Sequence, residues 1–143
     1  MQKERSAGAI VFRKDKEVKY LLLHYEAGHW DFPKGHIEGK EMELDALKRE
    51  VEEETGIKDI EIISNFKEKI EYYYKLKGEL MHKEVIFYLA KTEIEQVRIS
   101  FEHIGFIWLP FDKAMEKLTF KNAKEMLEKA HAFLKIHKTL DDF

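Results

Sequence analysis

The chain has 143 residues, with 25 Lys plus Arg against 28 Asp plus Glu and a formal net charge of −3. That length makes one domain the default and is enough to bury a core, and 44% hydrophobic with 13% aromatic residues excludes a disordered chain. The near-neutral balance argues against a nucleic-acid binder held by a basic face, and the absence of Cys excludes disulfides and thiolate metal sites. No apolar run approaches the ~20 residues of a membrane span. The opening stretch MQKERSAGAIVF lacks the apolar segment of a secretory signal, so a cytoplasmic, single-domain protein is expected over 1–143.

Residues 4–14 and 18–26 are short apolar runs separated by Lys-Asp-Lys-Glu, which predicts two paired strands. Residues 27–41 hold Gly28, Pro33, Gly35 and Gly39 and read as a loop. From Met42 to Thr55 there is no Gly or Pro, and Leu44, Leu47 and Val51 recur at helical spacing. An amphipathic helix is expected there, stopped by Gly56 just past its end. Segments 60–75 and 83–91 predict strands joined by a loop through Gly78, and a short strand over 104–109 runs up to Pro110. Helices are expected over 112–118 and 121–137, the second with Ala123, Leu127, Ala130 and Leu134 on one stripe. Strands lying before, between and after helices indicate a mixed α/β fold.

The helix over 42–55 carries the chemistry. Glu50, Glu53 and Glu54, at i, i+3 and i+4, share a face, and like charges that close destabilise a helix by a few tenths of a kcal/mol per pair. A divalent cation removes that repulsion and makes the face a hard-oxygen site. Mg²⁺, which takes few carboxylates and keeps waters and substrate phosphates, suits it. Arg49, four residues before Glu53, is placed to hold a carboxylate. On composition alone such a helix reads as solvated surface.

A longer pattern overturns that reading. Gly35, five residues, Glu41, seven residues, then Arg49-Glu50-Val51-x-Glu53-Glu54-x-Gly56-Ile57 fits the signature G-x5-E-x7-R-E-U-x-E-E-x-G-U at every specified position. On that stretch, 35–57, the chain resembles the Nudix hydrolases. The resemblance implies an α/β/α sandwich around a mixed sheet, with these residues as a loop–helix–loop. It also implies Mg²⁺- or Mn²⁺-dependent hydrolysis of a nucleoside diphosphate linked to another group. Glu50, Glu53 and Glu54 then hold the metals, with the Gly35 carbonyl as a further ligand, and Glu50 orients or deprotonates the attacking water. Glu41 and Arg49 become supports for the loop and the ligating carboxylates, and Gly56 belongs to the same scaffold.

Ahead of that stretch, His29-Trp30-Asp31-Phe32-Pro33-Lys34-Gly35-His36 resembles the W-x-x-P-K-G-H entry of the asymmetric diadenosine tetraphosphate hydrolases. Diphosphoinositol polyphosphate hydrolases and some RNA 5′-pyrophosphohydrolases share much of it. In that group Lys34 and His36 fall beside the substrate phosphates. By order along the chain, Tyr72 in Tyr72-Tyr73-Tyr74 becomes the residue stacking on adenine, with Tyr74 on the same face of the strand, and Lys83 a phosphate contact. Alternation puts Tyr73 on the opposite face. Glu102 resembles the extra metal ligand or alternative base found after the signature, with His103 its neighbour, and Phe120 a position closing over the second base. Relatives typically read E-P-G-E where this chain has Glu38-Gly39-Lys40-Glu41, so that loop turns differently. His24, His131 and His137 have no metal-spaced partner and read as packing residues.

The resemblance thus implies hydrolysis of diadenosine 5′,5‴-tetraphosphate to ATP and AMP, a small-molecule substrate with no nucleic acid or membrane required. RNA 5′-pyrophosphohydrolase, ADP-ribose pyrophosphatase and oxidised-nucleotide sanitiser are the alternatives inside the superfamily. A non-catalytic nucleotide-sensing module is the alternative outside catalysis.

Overall fold

The structure, a computed structural model, describes residues 2–137. Seven strands and three helices follow in the order β1 (Gln2–Lys14), β2 (Val18–Tyr25), β3 (Trp30–Asp31), β4 (Lys34–His36), α1 (Glu43–Thr55), β5 (Glu61–Leu76), β6 (Glu79–Lys91), β7 (His103–Pro110), α2 (Phe111–Lys117) and α3 (Lys121–His137). The strands form one mixed sheet in the order β3-β2-β1-β6-β5, with β4 also paired to β1 and β7 to β2. β1 and β6 run parallel and the other pairs antiparallel.

Both faces of the central strands are covered, so they read as continuous apolar runs rather than as alternation. On one face Ala7, Ala9 and Val11 of β1, Leu21 and Leu23 of β2 and Ile86 of β6 pack against Ala46, Leu47 and Val51 of α1. On the other, Ile10, Phe12, Tyr20, Leu22, Val85, Phe87 and Leu89 pack against Ala114 of α2 and the Ala123, Leu127, Ala130 and Leu134 stripe of α3. This is the α/β/α sandwich the signature implied. Among the described residues no helix is long and apolar enough to cross a membrane.

The structure departs from the expected elements in three places. The loop over 27–41 contains β3 and β4, two and three residues long and too short to leave a periodic signal. β6 begins at Glu79 rather than 83, because Lys77 and Gly78, at φ +50° and +82°, close a tight two-residue hairpin that lets β5 and β6 pair to their ends. Leu44 is 39% exposed and leaves the apolar stripe of α1, whose buried residues are Ala46, Leu47, Glu50, Val51, Glu54 and Thr55. The helix is rotated so that two glutamates face inward. Gly56 ends it at φ +76°, a conformation costly for other residues, with its N–H donating to Glu52 O at 2.8 Å.

Candidate active site

α1 lies across β4, and that contact explains Gly35. A Cβ built there would collide with the Glu50 carboxylate, so only glycine lets the strand and the glutamate share the space. Glu50 is 9% and Glu54 4% exposed. Lys34 N–H donates to Glu54 Oε1 at 3.2 Å, tying the strand to the end of the helix.

Arg49 holds the arrangement from the solvent side. Its Nε and Nη2 donate to Glu41 at 2.8 and 3.0 Å, and its Nη1 to Glu50 Oε1 at 2.7 Å. Nη1 also lies 3.3 Å from Glu53, and Nη2 donates to His36 O at 2.9 Å. Held by the guanidinium and by the Glu38 N–H, the Glu41 carboxyl is lowered to about 2, so it stays charged and anchors the guanidinium. The Glu38–Glu41 turn, closed by Glu41 N–H to Glu38 O at 2.9 Å with Gly39 at φ +53°, is how this loop reaches Glu41 without the proline usual in relatives.

Behind these residues the charge is poorly neutralised. Burial and, next, the charge of Glu50 push the Glu54 carboxyl up to about 9, and burial raises that of Glu50. The buried Nε2 of His103 lies 3.7 Å from Glu54 Oε1 with no hydrogen-bond partner, while its Nδ1 lies 3.0 Å from Ser100 Oγ. Ligating atoms of Glu54, Glu102 and His103 all fall within 4.8 Å of one another. Two adjacent buried carboxylates and an orphaned imidazole nitrogen fit a cation: hard oxygens suit Mg²⁺ or Mn²⁺, and the imidazole suits Mn²⁺ better than Mg²⁺. Glu50, Glu53, Glu54 and Glu102 line one cavity of about 750 Å³, together with Lys34, Gly35, His36 and Lys83. Unlike Glu50 and Glu54, Glu53 is open to solvent, with 57% of its side chain exposed.

A second cavity of about 410 Å³ lies beside the first, and Lys34 lines both. Tyr72 and Phe120 line it with Ile70, Phe87 and Asn122, so Phe120 faces the same cavity as Tyr72 and not, as the resemblance implies, a separate site for a second base. The register sets this: Tyr72 pairs opposite Lys83 and Ile70 opposite Val85, so both side chains stand on the α3 face. Tyr73, on the other face, stacks on His82 at 4.8 Å.

Not every residue singled out in the sequence reaches these cavities. Tyr74 lines neither; its hydroxyl donates to Glu4, which also lies 3.6 Å from Lys83 Nζ and 3.7 Å from His36 Nδ1. Burial lowers the Lys83 pKa. His24, His131 and His137 pack on Trp30, Phe111 and Phe133.

Two participants escaped the sequence reading. Asp31, 3% exposed, accepts from Lys34 Nζ at 3.0 Å and from Phe32 N–H at 2.8 Å, which fixes the lysine between the cavities. His29 stacks on Tyr25 at 4.5 Å and approaches Phe120 at 5.2 Å. Asp31 stands at an unspecified position of the W-x-x-P-K-G-H pattern, so only its burial singles it out.

Residues 2–130 match the NUDIX domain family. The mouse asymmetrical bis(5′-nucleosyl)-tetraphosphatase is 34% identical over 143 aligned positions, covering 91% of this chain and 95% of that protein. The pig enzyme of the same name is 35% identical with the same coverage. A binary complex of Caenorhabditis elegans Ap4A hydrolase superposes with a TM-score of 0.82 at 30% identity, covering 92% of this chain and 98% of that one. Signature, sandwich and likeness agree: the chain belongs to the NUDIX family and is a Nudix hydrolase.

Proposed function

We propose that the protein hydrolyses diadenosine 5′,5‴-tetraphosphate asymmetrically, giving ATP and AMP, with Mg²⁺ or Mn²⁺. One observation carries the reading: an acidic cleft and an aromatic-lined cavity meet at a lysine fixed by a buried aspartate. A generic pyrophosphatase needs only the first of these. The second offers Tyr72 and Phe120 to a nucleobase, which stacks on an aromatic face whatever its hydrogen-bonding edge. The relatives named above as asymmetrical tetraphosphatases support the same substrate.

Glu50, Glu53, Glu54 and Glu102, with the Gly35 carbonyl, would hold divalent cations, which would supply charge neutralisation on the phosphates and a more acidic water. The chain's own residues do the rest. Lys34, Lys83 and His36 hold phosphate oxygens. Glu41 and Arg49 keep the ligating carboxylates in place. The attacking water gives its proton to Glu50 or Glu102, forms a bond to phosphorus, and the bridging oxygen leaves with the other product. Burial raises the Glu50 pKa, which makes its carboxylate a stronger base than an ordinary glutamate and suits that role.

The test is a substrate panel with product analysis: diadenosine tetraphosphate, ADP-ribose, an oxidised nucleoside triphosphate and 5′-triphosphorylated RNA, each with Mg²⁺. The highest kcat/KM is expected for the dinucleotide, with ATP and AMP in equal amounts. A preference for ADP-ribose, RNA or the triphosphate, or ADP as the sole product, overturns the assignment.

A further inference from the structure

One side chain of the acidic cleft is explained neither by its carboxylates nor by packing. Phe101 lines the cleft yet is 89% exposed, the most exposed large hydrophobic residue among those described. An aromatic ring left in water forgoes the burial that ordinarily justifies its presence. Its turn is nevertheless fixed. His103 N–H donates to Ser100 O at 3.1 Å, and Ser100 Oγ lies 3.0 Å from His103 Nδ1. Glu26 N–H donates to Glu102 O at 3.0 Å. The ring is therefore presented by a tethered turn whose next residue, Glu102, belongs to the Glu54–Glu102–His103 cluster that could hold a cation.

The two cavities share Lys34 alone, and Phe101 lines only the acidic one. A dinucleoside polyphosphate carries a base at each end of one phosphate chain. With one base between Tyr72 and Phe120, the phosphates pass Lys34 into the acidic cleft, and the second base must emerge from that cleft. Tyr25, the cleft's other benzenoid side chain, has its ring stacked on His29 at 4.5 Å and its hydroxyl bonded to Phe32 O at 2.7 Å. Of the cleft's two benzenoid rings, Phe101 has the free face, and the other exposed ring, the His36 imidazole, is turned to Glu4 at 3.7 Å.

We propose that Phe101 is the platform for the second nucleobase of a dinucleoside polyphosphate, stacked at the rim of the acidic cleft beside Glu102. This rests on the dinucleotide reading above. Because stacking is tolerant of base identity, adenine and guanine should be accepted alike at this end.

The test compares two ligands with the same phosphates. For wild type, Phe101→Ala and Phe101→Trp, one measures KM for diadenosine tetraphosphate and the competitive inhibition constant of adenosine 5′-tetraphosphate, which has one base. Phe101→Ala is expected to raise the dinucleotide KM by about 5-fold or more, to leave the mononucleotide constant unchanged and to keep the wild-type Tm. Phe101→Trp is expected to restore or lower KM. An unchanged dinucleotide KM, an equal shift in both constants, or a Tm loss showing that the ring is packed overturns the proposal. Wild type that cleaves ADP-ribose or RNA but not the dinucleotide overturns the functional reading itself, and this inference with it.

Discussion

Gly35 and Glu50 meet so closely that neither position tolerates much change, and the guanidinium of Arg49 touches three carboxylates at once. Within that set Glu53 stands apart, because it is exposed and does not support the packing. Glu53→Gln is therefore expected to cut kcat by on the order of 10²-fold or more, through loss of a ligand and a negative charge together. Its Tm should stay within a degree or two of wild type, since an exposed ion pair contributes ~0–1 kcal/mol and Arg49 keeps Glu41 and Glu50. Steady-state kinetics beside calorimetry checks this, and near wild-type turnover would remove Glu53 from the metal set. The glutamates and Arg49 were legible because their spacing is local to one helix. Asp31 and the orphaned His103 nitrogen were not: Asp31 is marked only by its burial, and His103 meets Glu54 from far along the chain, and neither leaves a local trace.

At the scale of elements, the long amphipathic and apolar segments could be read from sequence and the short ones could not. α3 repeats its stripe over about three turns, and β1 and β2 carry continuous apolar runs over residues 7–12 and 20–23, where both faces are covered. β3 and β4 pair through so few residues that tertiary contact, not propensity, makes them strands. Leu44 misled because alanine is a weak marker of a buried face: Ala46 lies at the centre of the α1 contact and turns Glu50 and Glu54 inward. The β5–β6 hairpin makes a sharper prediction. Its register places Tyr72 on the cavity face and Tyr73 on the other. Stacking a base contributes ~1–3 kcal/mol, so Tyr72→Ala should raise KM for the dinucleotide by roughly 5- to 150-fold while kcat changes much less. Tyr73→Ala should leave both unchanged, and Tyr72→Phe should be nearly silent because only the ring face is used. A sensitive Tyr73 would mean that the hairpin pairs one residue out of step.

The molecule as a whole is held by two apolar layers, neither of which includes a carboxylate of the acidic cleft. Chelation is therefore expected to abolish turnover and leave the fold intact. The cost of the acidic site appears instead in how stability depends on pH. Folded Glu54 keeps its proton to about pH 9, whereas the group's ordinary value is 4.5. Between those values the native state binds more protons than the unfolded chain, so metal-free stability falls as pH rises. Burial lowers the His103 pKa, which works the other way but is spent once the unfolded imidazole has titrated near 6.5; the lowered Lys83 pKa also works the other way, and the comparison with Glu54→Gln separates the carboxyl from it. On the proposed metal site, a divalent cation would displace that proton and bind only the folded state, adding RT ln(1 + [L]/Kd). The Tm gained on adding Mg²⁺ should therefore be larger at pH 9 than at pH 7.5, while the Tm in chelator declines over the same interval. Glu54→Gln, which cannot ionise, should flatten the decline, raise the metal-free Tm at pH 9 by several degrees and shrink the Mg²⁺ gain. Calorimetric scans of both proteins at the two pH values, with chelator or Mg²⁺, decide it. A wild-type Tm in chelator that is flat across the interval, or a Glu54→Gln protein with the full Mg²⁺ gain, would mean that the buried carboxyl is not where proton and cation compete.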